Sequence, residues 1–276
     1  MTFAVEADAP STLPLQLQPQ MLPAIEVRNV SKAWGGLKAV DNCSLQIEPG
    51  KVTGLVGPNG AGKTTLLNLI SGFERVDSGE ILVNGRRTSH LGPRGVFRQG
   101  LVRTFQVPRP IPTMTVLENL VLAADHQLGE SLWNTWLRPG KVEEQENAII
   151  DRALWVLEYV ELSHLRDAYA STLSGGQKKL LEFARTLMEQ PSVILLDEPA
   201  AGVNRTLMRK LSERIEDQRD RYGVTFLIIE HDMEIVNRLC DPVIVMSQGS
   251  PMFQGTFQAM VRDEAVLEAY LGSQHR

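Results

Sequence analysis

The sequence predicts an α/β fold with a parallel sheet at its core, an antiparallel β part beside it and a mainly helical stretch inserted between two halves of the core. Three observations carry that expectation. Val52 to Val56 is a short apolar strand that runs into a glycine-rich turn, Gly57-Pro58-Asn59-Gly60-Ala61-Gly62, and then into a helix opening at Lys63-Thr64-Thr65. Ser192 to Leu196 and Thr225 to Ile229 are continuous apolar runs, as a sheet buried on both faces requires. Between Gln106 and Pro191, apolar residues recur at helical spacing.

Taken in order, residues 1–24 read as a flexible tail. The segment carries Pro and Gln, has Glu6 and Asp8, and lacks the basic stretch that opens a secretory signal. Residues 25–107 are expected to hold the first part of the core with the antiparallel strands Ile25 to Val30, Cys43 to Ile47 and Gly79 to Val83. Residues 108–190 form the helical part, with helices over Val116 to Ala124, Val142 to Glu161 and Gly176 to Met188, entered through a stretch stiffened by Pro108, Pro110 and Pro112. Within it, Trp133 and Trp136 are expected to pack inside the helical lobe, the alternative being a membrane-near or partner surface. Residues 191–250 complete the core. Residues 251–276 form a C-terminal helical segment, centred on Ala259 to Leu271 after a turn region at Gly249 and Gly255, with no regulatory domain expected beyond it.

The chemistry concentrates at strand ends. Glycines at 57, 60 and 62 let the backbone close around phosphate groups, and the helix N-terminus behind them offers N–H groups to an anion. Lys63 adds an ammonium for the outer phosphates, and the Thr64 hydroxyl is placed to ligate Mg²⁺. Asp197-Glu198-Pro199 ends the second apolar run, where carboxylates face the ligand crevice of a parallel sheet. Asp197 is assigned to the Mg²⁺ shell through water and Glu198 to polarising the attacking water. Glu230-His231-Asp232 ends the third run, so His231 is a candidate hydrogen-bond partner for the γ-phosphate that keeps Glu198 and the water in line.

Leu173-Ser174-Gly175-Gly176-Gln177 opens the last helix of the insertion as an anion-binding helix N-terminus. Together with Gly57 to Thr64, Gln106, Ile194 to Pro199 and His231, it gives a set that resembles the nucleotide-binding subunit of an ABC transporter, over residues 25 to about 250. The resemblance implies a P-loop NTPase (RecA-like) core that binds ATP with Mg²⁺ and hydrolyses it. It also implies that Leu173 to Gln177 act in trans on ATP held by a facing subunit, and that Trp34 stacks on adenine. Gln106 is then the residue that touches Mg²⁺ and links the nucleotide to the helical part. Ala201-Gly202-Val203-Asn204 takes the place of the usual stretch at the dimer seam, with Asn204 lacking the usual carboxylate.

Asp197 to Asn204, Trp34 to Val40, Arg103 to Gln106 with Met114 to Leu120, and the ending Glu268-Ala269-Tyr270-Leu271-Gly272 are similar to the ATPases of branched-chain amino acid importers. Relatives that import urea or other amides and acids share these features. The alternatives are a lipopolysaccharide-export ATPase, which is close at Ala201 to Val203, and a soluble ABC ATPase outside transport. The resemblance implies two transmembrane permease subunits as partners and an extracytoplasmic solute-binding protein. It further implies a second ATP-binding subunit, with a heterodimer slightly favoured over a homodimer. The expected location is the cytoplasmic face of the cell (inner) membrane, as a peripheral subunit.

Composition agrees. A net charge of −5 and a pI of about 5.6 disfavour a nucleic-acid-binding face. Arg86, Arg87, Arg94, Arg98 and Arg103 form a local basic stretch, expected to be a solvated loop near phosphates. No apolar run reaches the roughly 18 residues that a membrane helix needs. Cys43 and Cys240 stand far apart, as in a reduced cytosolic protein, and His90, His126, His164 and His275 lack partners at metal-ligand spacing.

Overall fold

The computed structural model describes residues 22–125 and 127–272. The expected N-terminal tail up to residue 21, His126 and His275 lie outside the described residues. The strands are β1 (Ile25–Trp34), β2 (Leu37–Ile47), β3 (Val52–Val56), β4 (Ser78–Val83), β5 (Arg86–Arg87), β6 (Leu101–Arg103), β7 (Val193–Asp197), β8 (Thr225–Ile229), β9 (Val243–Ser247) and β10 (Ser250–Gly255). The helices are α1 (Lys63–Ile70), α2 (Pro93–Phe97), α3 (Val116–Val121), α4 (Leu132–Leu137), α5 (Pro139–Tyr159), α6 (Gly175–Leu187), α7 (Arg205–Tyr222), α8 (Met233–Leu239), α9 (Phe257–Met260) and α10 (Glu264–Gly272).

An antiparallel sheet runs β2-β1-β4-β5, and a six-stranded sheet runs β10-β9-β3-β8-β7-β6. In the second sheet β6, β7, β8, β3 and β9 are mutually parallel, so their C-terminal ends share one edge. The central strands are apolar at nearly every position because both faces are covered, and alternate residues divide between them. Val56, Ile194, Leu196, Phe226 and Ile228 join the helical side with Leu157, Leu180 and Phe183. Leu55, Leu195, Leu227 and Ile229 join the other side with Leu66 and Ile70 of α1 and with Ile25, Ile47 and Ile81 of the antiparallel sheet.

Several expectations are corrected. Residues 251–255 belong to β10 rather than to a helical segment. β10 forms a hairpin with β9 through Gln248 and Gly249, both at positive φ (48° and 82°), a two-residue turn geometry that matches strand twist. The C-terminal helix is also split, α9 ending at Met260 and α10 starting at Glu264. Trp133 and Trp136 do not pack inside the lobe: at i and i+3 they share one face of α4, and that face is open, with exposures of 69% and 77%. Arg103 leaves the solvated basic stretch altogether; it sits in β6 with a side chain only 6% exposed, whereas Arg86, Arg87, Arg94 and Arg98 are exposed.

Candidate active site

The phosphate loop follows β3 and bends back under steric compulsion. Gly57 has φ 146°, and a Cβ there would meet the Met246 carbonyl oxygen of β9 at 2.2 Å. Gly62, at φ 98°, is the N-cap of α1 and supplies no side chain to its free N–H groups. An uncapped helix N-terminus wrapped in glycine backbone fits a polyphosphate. Lys63 is buried and donates to the Gly57 and Pro58 carbonyls at 2.6 and 3.0 Å. Burial lowers its pKa, while Glu198 and Asp197 nearby oppose the shift. Thr64 opens to solvent one residue on.

The edges of β6, β7 and β8 bring the remaining groups together. Glu198 follows β7 in a left-handed backbone conformation, φ 47°, rare and strained for a side-chain-bearing residue. Its two carboxylate oxygens are held separately. Gln106 Nε2 donates to Oε2 at 2.7 Å, and His231 Nε2 lies 3.1 Å from Oε1, where an N–H donates to the carboxylate. With its amide nitrogen so engaged, Gln106 has its amide oxygen left for a cation. That oxygen, the Thr64 hydroxyl and the Asp197 carboxylate are oxygen donors, the chemistry that suits Mg²⁺. Glu230, behind His231, is buried and accepts from the backbone N–H groups of Ala200, His231 and Asp232 at 2.7, 3.1 and 3.4 Å. Burial raises its carboxyl pKa, and these N–H donors oppose the rise.

Two buried cations set the carboxylates in place and were missed in the sequence. Arg103 pairs with Asp197 Oδ2 at 2.9 Å, both side chains 6% exposed, and also reaches Asn68 Oδ1 and Ser71 Oγ at the end of α1 at 2.7 and 3.1 Å. Lys179 of α6 donates to the backbone carbonyls of Gln106 and Glu198 at 2.8 and 2.9 Å. The signal was available for Lys179: it lies on the same helical stripe as Gly176, Leu180 and Phe183, which are buried.

Other candidate residues lie apart from this edge. Trp34 ends β1, about half exposed, with the Lys32 ammonium 4.8 Å from its ring centroid. Ser174 caps α6 in a reciprocal capping box with Gln177, and a Cβ at Gly176 would strike Leu207 at 2.5 Å. Leu173 to Gln177 thus lie beside the segment leading into α7, and among the described residues no side-chain hydrogen bond joins them to the phosphate loop. Asn204, after Ala201, Gly202 and Val203, spends its side chain on capping α7 through the Leu207 amide at 2.9 Å. Asn59, Gly60 and Gly175 are exposed, Ala61 and Leu173 are buried, and Thr65 is half-buried. A cavity of about 940 Å³ is lined by Pro58 to Ala61 and by Ala265, Glu268 and Ala269 of α10, and Glu198 does not line it.

Cys43 and Cys240 are free and buried, and burial pushes both thiols up to about 12. Among the described residues no cluster of His, Cys, Asp and Glu is arranged to hold a metal by itself, and no helix is long and apolar enough to cross a membrane.

Comparison with known proteins gives one answer. Residues 40–201 match the ABC transporter family. The chain is 40% identical over 253 residues to a probable branched-chain amino acid transport ATP-binding protein LivG of Archaeoglobus fulgidus, covering 91% of this chain and 96% of that protein. It is 38% identical over 250 residues to the high-affinity branched-chain amino acid transport ATP-binding protein LivG of Escherichia coli, covering 91% and 98%. Among solved structures, a nucleotide-free ATP-binding cassette from an ABC transporter aligns with a TM-score of 0.78 at 36% identity, over 90% of this chain and 98% of that one. An ADP-bound cassette of an ABC transporter aligns with a TM-score of 0.76 at 35% identity.

Proposed function

The chain belongs to the ABC transporter family as an ATP-binding, ATP-hydrolysing subunit on a P-loop NTPase fold, and from that premise we propose how its residues do the work and what it powers. The observation that carries the reading is the Glu198 carboxylate held between Gln106 and His231 at the sheet edge beside the phosphate loop.

Gly57 to Thr65 hold the phosphates of ATP, with Lys63 turning from its own loop carbonyls to the β- and γ-phosphates. Thr64, Gln106 and Asp197, the last through water, hold Mg²⁺, which when bound neutralises charge on the phosphates. Glu198 accepts a proton from the attacking water, and His231 keeps that carboxylate aimed. Trp34 stacks on adenine. Leu173 to Gln177 meet the ATP of a facing subunit, so two subunits complete each site, with Ala201 to Asn204 at their seam. Residues 25–107 and 191–250 form the nucleotide-binding core and 108–190 the lobe that meets the permeases.

The subunit drives import of a branched-chain amino acid or related small polar solute through two permease subunits, at the cytoplasmic face of the cell membrane. A solute-binding protein delivers the solute from outside, and a second, different ATPase pairs with this one. The support is the similarity to LivG proteins over nine tenths of the chain. Affinity purification of the tagged chain from detergent-solubilised membranes, followed by mass spectrometry, tests it. Two polytopic permeases with a second ATPase are expected; bridge proteins of an export system or soluble repair or translation factors would contradict it.

A further inference from the structure

Helix α6 begins at the Ser174 cap and then runs under the strand-edge loops, and it turns three ionisable side chains toward them rather than toward water. Lys179, Glu182 and Arg185 stand at i, i+3 and i+6, on one side of the helix. Lys179 donates to the Gln106 carbonyl at 2.8 Å, Glu182 accepts from the Phe105 N–H at 2.7 Å, and Arg185 donates to the Arg109 carbonyl at 3.3 Å. One helix face therefore grips successive backbone groups of the stretch that carries Gln106.

Lys179 does more than its neighbours. Its second hydrogen bond, 2.9 Å long, goes to the backbone carbonyl of Glu198, the residue held at φ 47°. The residue is only 7% exposed, and burial lowers its pKa against the pull of Glu182, Glu230, Asp197 and Glu198. Burying an ammonium is costly, and an aliphatic side chain would fill the same space without that penalty. What the ammonium adds is a fixed distance between two peptide groups whose side chains meet at the Glu198 carboxylate.

We propose that Lys179 is a positioning residue for ATP hydrolysis: from α6 it clamps the backbones of Gln106 and Glu198 together, so that the Ser174 end of the same helix and the Glu198 carboxylate move as one unit. Lys179 lies five positions after Ser174, about 7.5 Å along the helix and under one and a half turns. A shift of the helix N-terminus on phosphate is thereby delivered to the backbone that sets Glu198. The inference rests on the proposed role of Glu198.

The test compares Lys179→Met, which keeps length but has no donors, with Lys179→Arg and with Glu198→Gln, all in the full-length chain. Steady-state hydrolysis, direct titration with a fluorescent ATP analogue and thermal melting are measured for each. Lys179→Met is expected to lower kcat at least ten-fold while nucleotide affinity stays within two-fold and the protein remains folded, and Lys179→Arg is expected to recover part of the rate. Unchanged kcat in Lys179→Met, or a parallel loss of affinity and melting temperature with no recovery in Lys179→Arg, overturns the proposal. Should Lys179→Met not fold, Lys179→Gln, with a single donor group on a shorter stem, replaces it under the same criteria. If Glu198→Gln abolishes hydrolysis while Lys179→Met does not change it, the clamp alone is wrong; if Glu198→Gln still hydrolyses, the reading of Glu198 fails first.

Discussion

Arg103 and Asp197 form an ion pair sealed from solvent, 2.9 Å between Nη2 and Oδ2, beneath the edge where Glu198 stands. The pair joins β6 to β7, and through Asn68 and Ser71 it also reaches the end of α1, the helix that the phosphate loop opens. Asp197 is thus oriented by protein through one carboxylate oxygen, Oδ2.

Removing one partner of such a pair leaves a buried charge unmatched. Arg103→Met is expected to destabilise the chain by about 3–5 kcal/mol, whereas adding Asp197→Leu in the same chain returns much of the loss. Urea unfolding of the two variants and the wild type checks this. A single variant as stable as the wild type would remove the pair from the fold's support.

Lys63 is pre-turned onto carbonyls of its own loop, so its removal spares the fold more than the ligand. Lys63→Ala should weaken nucleotide binding by about 1.5–3 kcal/mol, roughly ten- to a hundred-fold in Kd. Direct titration gives the answer, and wild-type affinity would be incompatible with the phosphate-loop assignment.

Glu182 carries a pH signature. Burial raises its carboxyl above the ordinary value of 4.5, with the Phe105 N–H, Lys179 and Arg185 opposing, and its Oε2 is buried without a hydrogen-bond partner. A raised folded-state pKa contributes stability that is full below the unfolded value and is lost as pH rises through the folded value. Glu182→Gln does not titrate, so its melting temperature relative to wild type should climb over the range where pH rises above the ordinary carboxyl value of 4.5. A difference that stays flat or falls across that range would mean the carboxylate is better accommodated charged.

The sequence carried the strands best where burial is continuous. β8 coincides with its apolar run, and β3 likewise, because a strand covered on both faces must be apolar throughout. β6 escaped notice because it is three residues long and ends in Arg103, whose charge reads as solvent-facing until Asp197 is brought against it. The run Val243 to Ser247 offered a signal for β9 that was not used. Lys179, Glu182 and Arg185 look like a solvated helix face in one dimension, and only packing against the Gln106 stretch reveals Lys179 and Glu182 as buried and Arg185 as half-buried. Trp133 and Trp136 failed in the opposite sense, since aromatic residues on a short helix are expected inside and here are not.

The role proposed for Glu198 is to activate the water that cleaves bound ATP. Its most direct test is steady-state hydrolysis by Glu198→Gln beside a titration of nucleotide affinity. Turnover reduced by a factor on the order of 10² or more with affinity retained is expected; turnover equal to that of the wild type would contradict this role of Glu198.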